Sequence, residues 1–306
     1  MRILVTGISG FVGSQLAPAL IERGHDVVAL ARDPKRIDPE LRGKVEVVRG
    51  NALSGDALSQ ALAGCDAFAW LLHSMEPDSS GIDYSAREIN AVRRAIEAAQ
   101  RSGVERCAYL GGIVPSDGPT SQHLDSRLAV ERELLSRLPQ STALRASIVI
   151  GAGSRSFRFL VRLIERLPAM PLPAWHSNRT APADIRDTVE ALVRSLEGEA
   201  PGRSLDIACN EVLSYGELIE RIADRMLLDR PTIGLPFSLT PIAGRVAAVL
   251  AGEQTELIVP LMGSLGDDLI PRNDGLTELG IKSHRLDAAI DCALREWEAV
   301  EELAAR

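Results

Sequence analysis

Two periodic patterns alternate through the first half of the chain. Short apolar runs have the length and composition of buried strands, whereas the stretches between them repeat their apolar residues every three to four positions, as helices do. The predicted strands are Arg2–Thr6, Asp26–Ala31, Val45–Val48, Ala67–Leu72, Arg106–Leu110 and Leu144–Ile150. The clearest predicted helices are Phe11–Glu22, Tyr84–Ser102 and residues 121–131. Alternating strands and helices form βαβ units, so the pattern predicts an α/β fold with a doubly wound parallel sheet.

The pattern changes after the sixth predicted strand, where an amphipathic helix leads into a proline-rich stretch. We therefore expect a sheet domain over residues 1–150 and a smaller substrate-binding or cap region over residues 151–306, interleaved with the last elements of the sheet. Phe157, Met170 and Trp175 would suit an apolar substrate pocket in that region, although Trp175 is better explained as a packing anchor.

Glycines at a spacing of three join the first strand to the first helix, at Gly7, Gly10 and Gly13. Gly7 permits backbone angles closed to other residues, Gly10 lets a phosphate approach the main chain, and Gly13 lets helix and strand pack closely. The other residues expected to face a pyrophosphate at the helix start are Ser9, Phe11 and Val12. An ordinary loop is the alternative, but the strand before and the helix after favour the dinucleotide site of a Rossmann fold.

The second strand ends in Arg32 and Asp33, where a doubly wound domain meets the adenosine ribose. An arginine suits the 2′-phosphate of NADP, whereas an acidic residue would accept the 2′-hydroxyl of NAD. We therefore expect NADP, with NAD as the alternative. Asn51 and Ala52 follow the third strand and could line an adenine pocket, although Asn51 could equally cap the next helix.

The carboxyl ends of the later strands supply further candidates for the cofactor site. Leu72 and His73 end the fourth strand, beside the expected pyrophosphate and nicotinamide, although His73 could simply order its loop. The paired glycines Gly111–Gly112 after the fifth strand would let the nicotinamide ring lie against the backbone. Ser147 and Ile148, in the sixth strand, complete the set of expected cofactor contacts.

Helical spacing places His123 and Arg127 on one face, four residues apart. This segment and the motifs TGISGFVG, WLLHSM, YLGGIVP and HLDSRLAVE, with the later LRASIVIGAGS and SFRFLVRLIERLPAMPLP, carry a resemblance over nearly the whole chain. In these motifs the sequence resembles the extended and atypical short-chain dehydrogenases/reductases, and most of all their NmrA-like, NAD(P)H-binding group. Within that group it looks like a bacterial subgroup with a histidine-serine-methionine loop.

The resemblance implies a catalytic tyrosine, a lysine four residues later that holds the nicotinamide ribose, and a serine or threonine after the fifth strand. Here His123 stands in the tyrosine's place, Arg127 in the lysine's, and Gly111–Gly112 in the serine's region. In one interpretation the chain is an NADP-dependent oxidoreductase that reduces a carbonyl, quinone or conjugated enone of a small apolar metabolite. Protonated His123 then delivers the proton, Arg127 clamps the ribose and the developing charge, and His73 is a second donor.

The alternative is a noncatalytic NAD(P)-sensing regulator that acts through a protein partner, since all three catalytic positions depart from the family pattern. Because nicotinamide-binding folds more often reduce a substrate than report on one, we favour the enzyme. The sequence also leaves open whether the chain forms a homo-oligomer.

Composition narrows the classes of partner. The formal net charge of −8 argues against direct binding of nucleic acid or an anionic membrane. The four cysteines are far apart, and no pair of histidines has the spacing of a helix-borne zinc site, so we expect no metal. We see no signal peptide and no membrane span, and a cytoplasmic protein is the expectation.

Overall fold

The computed structural model describes residues 1–72, 84–118, 121–234 and 265–301. Its first half contains, in order, β1 (Arg2–Thr6), α1 (Phe11–Glu22), β2 (Asp26–Ala31), α2 (Pro39–Arg42), β3 (Glu46–Arg49), α3 (Gly55–Leu62), β4 (Ala67–Trp70), α4 (Tyr84–Arg101), β5 (Cys107–Gly112), α5 (Gln122–Arg137) and β6 (Thr142–Ala146). Five of the six strands predicted from the apolar runs are present with ends that differ by a few residues, and the sixth is divided into two.

These six strands and a later one, β11 (Ser204–Asp206), form a seven-stranded sheet in the order β11-β6-β5-β4-β1-β2-β3. Every neighbouring pair is parallel. The chain builds outward from β1 through β2 and β3, and then continues on the other side of β1 with β4. This reversal leaves a crevice beyond the carboxyl ends of β1 and β4, which is where doubly wound folds bind ligands. The predicted fold is confirmed.

The second half contains, besides β11, the elements β7 (Val149–Ile150), α6 (Arg155–Arg166), β8 (Met170–Leu172), β9 (Arg179–Thr180), β10 (Ala183–Asp184), α7 (Ile185–Glu197), β12 (Leu213–Ser214), α8 (Tyr215–Arg225), β13 (Thr232–Gly234), α9 (Gly275–Glu278) and α10 (Leu286–Glu298). Since β11 belongs to the main sheet, the sheet uses residues on both sides of the division predicted at residue 150. That division itself stays a prediction.

The sixth predicted strand, Leu144–Ile150, is not one strand. It divides into β6, which lies in the main sheet, and β7, which pairs with β10. The Ser147 hydroxyl donates to the Ala181 carbonyl at 2.6 Å, and the Ala183 amide donates to the Ile148 carbonyl at 2.8 Å. These bonds pair the chain after β6 with the segment before β10, so an apolar run that looks continuous serves two sheets.

Both faces of the main sheet are covered. Leu16 of α1 and Leu192 of α7 are buried against one face, and Trp70 and Tyr109 are buried between the other face and α3, α4 and α5. A separate core around Trp297 joins α6, α8 and α10. No helix in the described ranges is long and apolar enough to cross a membrane.

Two residues expected in a substrate pocket belong to this C-terminal core. Phe157 and Met170 are buried in it, because the apolar face of α6 packs against α8 and α10. The half-buried Trp175 ring lies edge-on to the Tyr215 ring, with the centroids 6.0 Å apart. The expected pocket wall is therefore wrong for Phe157 and Met170, while Trp175 packs as the anchor interpretation predicts.

Candidate functional site

The glycine turn after β1 has the geometry of a tight phosphate-binding loop. Gly7 has a φ of +73°, and its carbonyl accepts the Gly10 amide at 2.9 Å. A Cβ on Gly13 would lie 2.3 Å from the Gly7 oxygen and 2.8 Å from the Ile8 Cα, so only glycine fits there. The helix and the turn are thus in direct backbone contact, as the sequence predicts.

The start of α1 is open to an anion. Gly10 precedes the helix and makes no side-chain capping bond, and the first turn contains no acidic residue. The first amides of a helix have no intrahelical partner and carry the positive end of the helix dipole. A pyrophosphate is the ligand that this arrangement fits.

A cleft of about 390 Å³ lies beside this turn, at the carboxyl ends of the central strands. It is lined by Gly7, Ser9, Leu30, Ala31, Arg32, Asp33, Arg36, Gly50, Asn51, Ala52, Leu53, Trp70, Leu72, Arg87, Glu88 and Ala91. Six of the residues predicted for the cofactor site therefore meet in one cavity: Gly7, Ser9, Arg32, Asn51, Ala52 and Leu72. Its apolar walls and glycine turn suit a nucleotide, so the residues present fit the dinucleotide that the sequence implies.

One rim of the cleft is basic. Arg32, Arg36 and Arg87 all line it. The neighbouring carboxylate, Asp33, caps the 3-10 turn that follows β2 by accepting the Lys35 amide at 3.0 Å. Arg87 carries no local sequence signal for this role, because it comes from α4 and reaches the rim only through the fold.

Asn51 forms a local turn. Its side-chain oxygen accepts the Leu53 amide at 3.1 Å, while Ser54, without a side-chain bond, precedes α3. The alternative that Asn51 caps this helix is therefore wrong. Its position in the cleft wall is the one expected of an adenine contact.

The Phe11 ring contacts a second glycine-rich loop, which the sequence alone suggests is merely flexible. A Cβ on Gly151 would lie 2.6 Å from this ring, and one on Gly153 would lie 2.8 Å from it. These glycines therefore make room for Phe11 beside the start of α1. A pair of glycines after the sixth strand is the signal that could have indicated this contact.

The paired glycines of β5 lie inside the strand. Gly111 and Gly112 pair with Arg145 and Ala146 of β6, so the predicted loop begins two residues later, at Ile113. A Cβ on Gly111 would lie 2.9 Å from the Tyr109 ring, and one on Gly112 would lie 2.9 Å from Leu124. Their contact with nicotinamide stays a prediction, as do those of Ser147 and Ile148. His73 lies outside the described residues.

His123 occupies the first turn of α5, which Ser121 caps by accepting the Leu124 amide at 3.2 Å. Burial, with a smaller contribution from the positive charge of Arg127, lowers the pKa of His123 from 6.5 to about 4. The interpretation as an enzyme assigns the proton to protonated His123, whereas this shift disfavours the protonated form. In the unliganded protein its ring is neutral at pH 7.

Arg127 belongs to a buried polar cluster. Its Nη1 lies 3.5 Å from Glu88 Oε1, and both side chains are about 95% buried. The Ser126 hydroxyl donates to Glu88 Oε2 at 2.5 Å, and the Tyr109 hydroxyl donates to the Arg127 carbonyl at 3.3 Å. Burial raises the pKa of Tyr109 to about 12, so this phenol stays protonated. No local signal predicts Glu88 as a partner of Arg127, because Glu88 comes from a different helix, α4.

Comparisons with known proteins agree with this geometry. Residues 7–146 match a family model described as NAD(P)H-binding. This stretch is therefore similar to NAD(P)H-binding proteins, as the predicted resemblance implies, whereas the histidine-serine-methionine subgroup stays a prediction.

Relatives of this chain include a mitochondrial subunit of Arabidopsis thaliana, NADH dehydrogenase [ubiquinone] 1 alpha subcomplex subunit 9. The two are 24% identical over 80% of this chain and 62% of that protein. A 2-alkyl-3-oxoalkanoate reductase of Stenotrophomonas maltophilia is 26% identical over 72% of this chain and 74% of its own length. The solved triphenylmethane reductase of Citrobacter sp., complexed with NADP(H), is 17% identical and superposes with a TM-score of 0.74, covering 96% of this chain and 100% of its own. The chain thus spans less than two thirds of the plant relative. Because the other two proteins are named as reductases, they do not favour the alternative of a noncatalytic regulator.

A second polar network ties α5 to the edge of the NAD(P)H-binding sheet. Arg145 of β6 forms an ion pair with Glu131 of α5, and Asp206 of β11 lies 3.8 Å from the same guanidinium. Asp206 also accepts the Arg272 amide at 2.6 Å, and the Arg272 guanidinium donates to the Val114 and Pro115 carbonyls. A segment near residue 272 therefore holds the loop that leads from β5 to His123.

Proposed function

We propose that the protein is an NADPH-dependent reductase acting on a carbonyl, quinone or conjugated enone of a small apolar metabolite. The observation that carries this proposal is the cleft between the glycine turn and the basic rim, with the helix of His123 beyond it. The relatives named as reductases support the reaction class.

The basic rim supports NADPH over NADH. Three arginines line the cleft, Arg32 and Arg36 after β2 and Arg87 on α4, and guanidinium groups bind phosphates through charge-assisted hydrogen bonds. Asp33, the first acidic residue after β2, already accepts a backbone amide with its Oδ1.

The cofactor supplies the hydride, and the chain has to supply orientation and a proton. We assign the proton to His123. Since burial and Arg127 keep the ring neutral at pH 7, His123 takes a proton from water and passes it to the substrate oxygen as negative charge develops there. Reduction should accordingly become faster as the pH falls toward 5.

A small buried cluster holds the turn of α5 that carries His123. Ile113, after β5, forms this cluster with Leu124 and Leu269. Since Leu124 follows His123 directly, the cluster anchors the first turn of α5 beside the end of β5.

The experiment is to follow NADPH oxidation with a panel of ketones, quinones and enones, using the wild-type protein and His123→Gln. We expect acceptor-dependent oxidation by the wild type, and a rate at least about 100-fold lower for the variant with unchanged NADPH affinity. His176→Gln, which alters a histidine on a different element, is the control and should keep the full rate. Tight NADPH binding without oxidation by any acceptor would contradict the proposed reaction.

A further inference from the structure

Glu88 is the acidic residue that connects the cofactor cleft with the buried cluster around Arg127. It lines the cleft together with Leu72 and Ala91, although only 6% of its surface is exposed. One of its oxygens accepts the Ser126 hydroxyl, and the other faces Arg127. The carboxylate is therefore fixed in orientation, with the Arg127 guanidinium behind it.

Arg127 itself does not line the cleft. Its guanidinium is 4% exposed and is held between Glu88 and the Tyr109 hydroxyl, 3.5 Å from each. The group that the cleft presents at this point is therefore the carboxylate, with the arginine beneath it. This differs from the expectation, based on resemblance, that Arg127 holds the nicotinamide ribose.

A fixed carboxylate is well suited to one feature of a dinucleotide. It accepts hydrogen bonds from the two adjacent hydroxyls of a ribose, and it repels phosphates. In NADPH the adenosine ribose carries a phosphate on its 2′-oxygen, so only the nicotinamide ribose keeps both hydroxyls. The three arginines of the cleft therefore favour the phosphorylated adenosine ribose, whereas the acidic residue favours the nicotinamide ribose, which keeps both hydroxyls.

We infer that Glu88 accepts hydrogen bonds from the hydroxyls of the nicotinamide ribose, with Arg127 as its buried counter-ion. This inference rests on the proposed function, because it takes NADPH as the cofactor. It makes Glu88 a cofactor-binding residue and gives Arg127 the task of holding that carboxylate in place. The resemblance assigns neither role to these side chains.

The test compares NADPH with 2′,5′-ADP, a fragment that lacks the nicotinamide ribose. Both affinities are measured by calorimetric titration of the wild type, Glu88→Gln and Glu88→Asp. The Gln variant keeps the size of the side chain but loses its charge. The Asp variant keeps the charge that pairs with Arg127, but its shorter side chain withdraws the carboxylate from the cleft. We expect each variant to bind NADPH about tenfold more weakly and 2′,5′-ADP as the wild type does. Glu97→Gln, an exposed acid on the same helix, should change neither affinity.

Each other outcome overturns the inference. If Glu88 served only as the counter-ion of Arg127, Glu88→Gln would leave an unneutralised arginine beside the cleft. Both anionic ligands would then bind the variant as tightly as the wild type, or more tightly. Equal weakening of NADPH and 2′,5′-ADP would place Glu88 on the adenosine side instead. Should Glu88→Gln fail to fold, unchanged NADPH binding by Glu88→Asp would refute the ribose contact. If the wild type binds neither ligand, the proposed function fails as well, which separates that failure from the failure of Glu88 alone.

Discussion

The buried histidine of α5 makes the folded protein sensitive to acid. His123 has a pKa of about 4 when folded and 6.5 when unfolded, so between these values the unfolded chain binds more protons than the folded one. The stability that depends on neutral His123 is therefore fully present above pH 6.5, the pKa in the unfolded chain. It is lost as the pH falls from 6.5 to about 4. The shift predicts a loss of about 2.5 kcal/mol between pH 7 and pH 4.5, which we reduce to about 2 because the ring is not wholly buried.

Urea unfolding of the wild type and His123→Gln at the two pH values measures this loss. Other groups titrate in the same range, so the quantity that matters is the difference between the proteins. We expect His123→Gln to lose about 2 kcal/mol less of its unfolding free energy than the wild type on acidification. His176→Gln should behave as the wild type does. Equal losses in the wild type and His123→Gln would refute the burial argument.

Three further substitutions test separate parts of the site. Gly13→Ala places a Cβ 2.3 Å from the Gly7 carbonyl, so we expect a loss of about 1–3 kcal/mol in a urea melt and much weaker NADPH binding in a calorimetric titration. Arg32→Asp reverses the charge at the basic rim and should weaken NADPH by about 10- to 100-fold, with little effect on NADH. Arg272→Ala frees the two loop carbonyls that it holds and should lower kcat about tenfold while NADPH affinity stays unchanged.

For each of these variants, a different result would contradict the expectation. Wild-type stability and binding in Gly13→Ala would show that the helix can move away from the turn at no cost. Equal losses of NADPH and NADH in Arg32→Asp would show that this arginine does not read a 2′-phosphate. For Arg272→Ala, an unchanged kcat would mean that the loop keeps its position without the guanidinium.

Local features of the chain were predictable because their causes lie within a few residues. The glycine turn at Gly7 and the close packing at Gly13 follow from a buried strand, a helix and glycines between them. The doubly wound parallel sheet follows from the alternation of patterns, and the cofactor cleft lies where such a sheet reverses its strand order. Ser214 and Glu217 likewise show in the sequence the capping box that starts α8.

The features that escaped prediction depend on residues far apart in the chain. Glu88 meets Ser126 across 38 positions, and Arg272 reaches Pro115 across 157. The low pKa of His123 likewise depends on how deeply α5 is buried, which spacing along one helix does not reveal. The split of β6 from β7 also depends on a partner strand that is distant in sequence.

The central claim is that the cleft beside the glycine turn binds NADPH for a reduction. Calorimetric titration of the wild-type protein with NADPH and with NADH tests it most directly. The account predicts one site per chain, with NADPH bound at least about tenfold more tightly than NADH because of the basic rim. Equal affinity for the two would contradict the assigned preference, and no binding of either would contradict the proposed function as a whole.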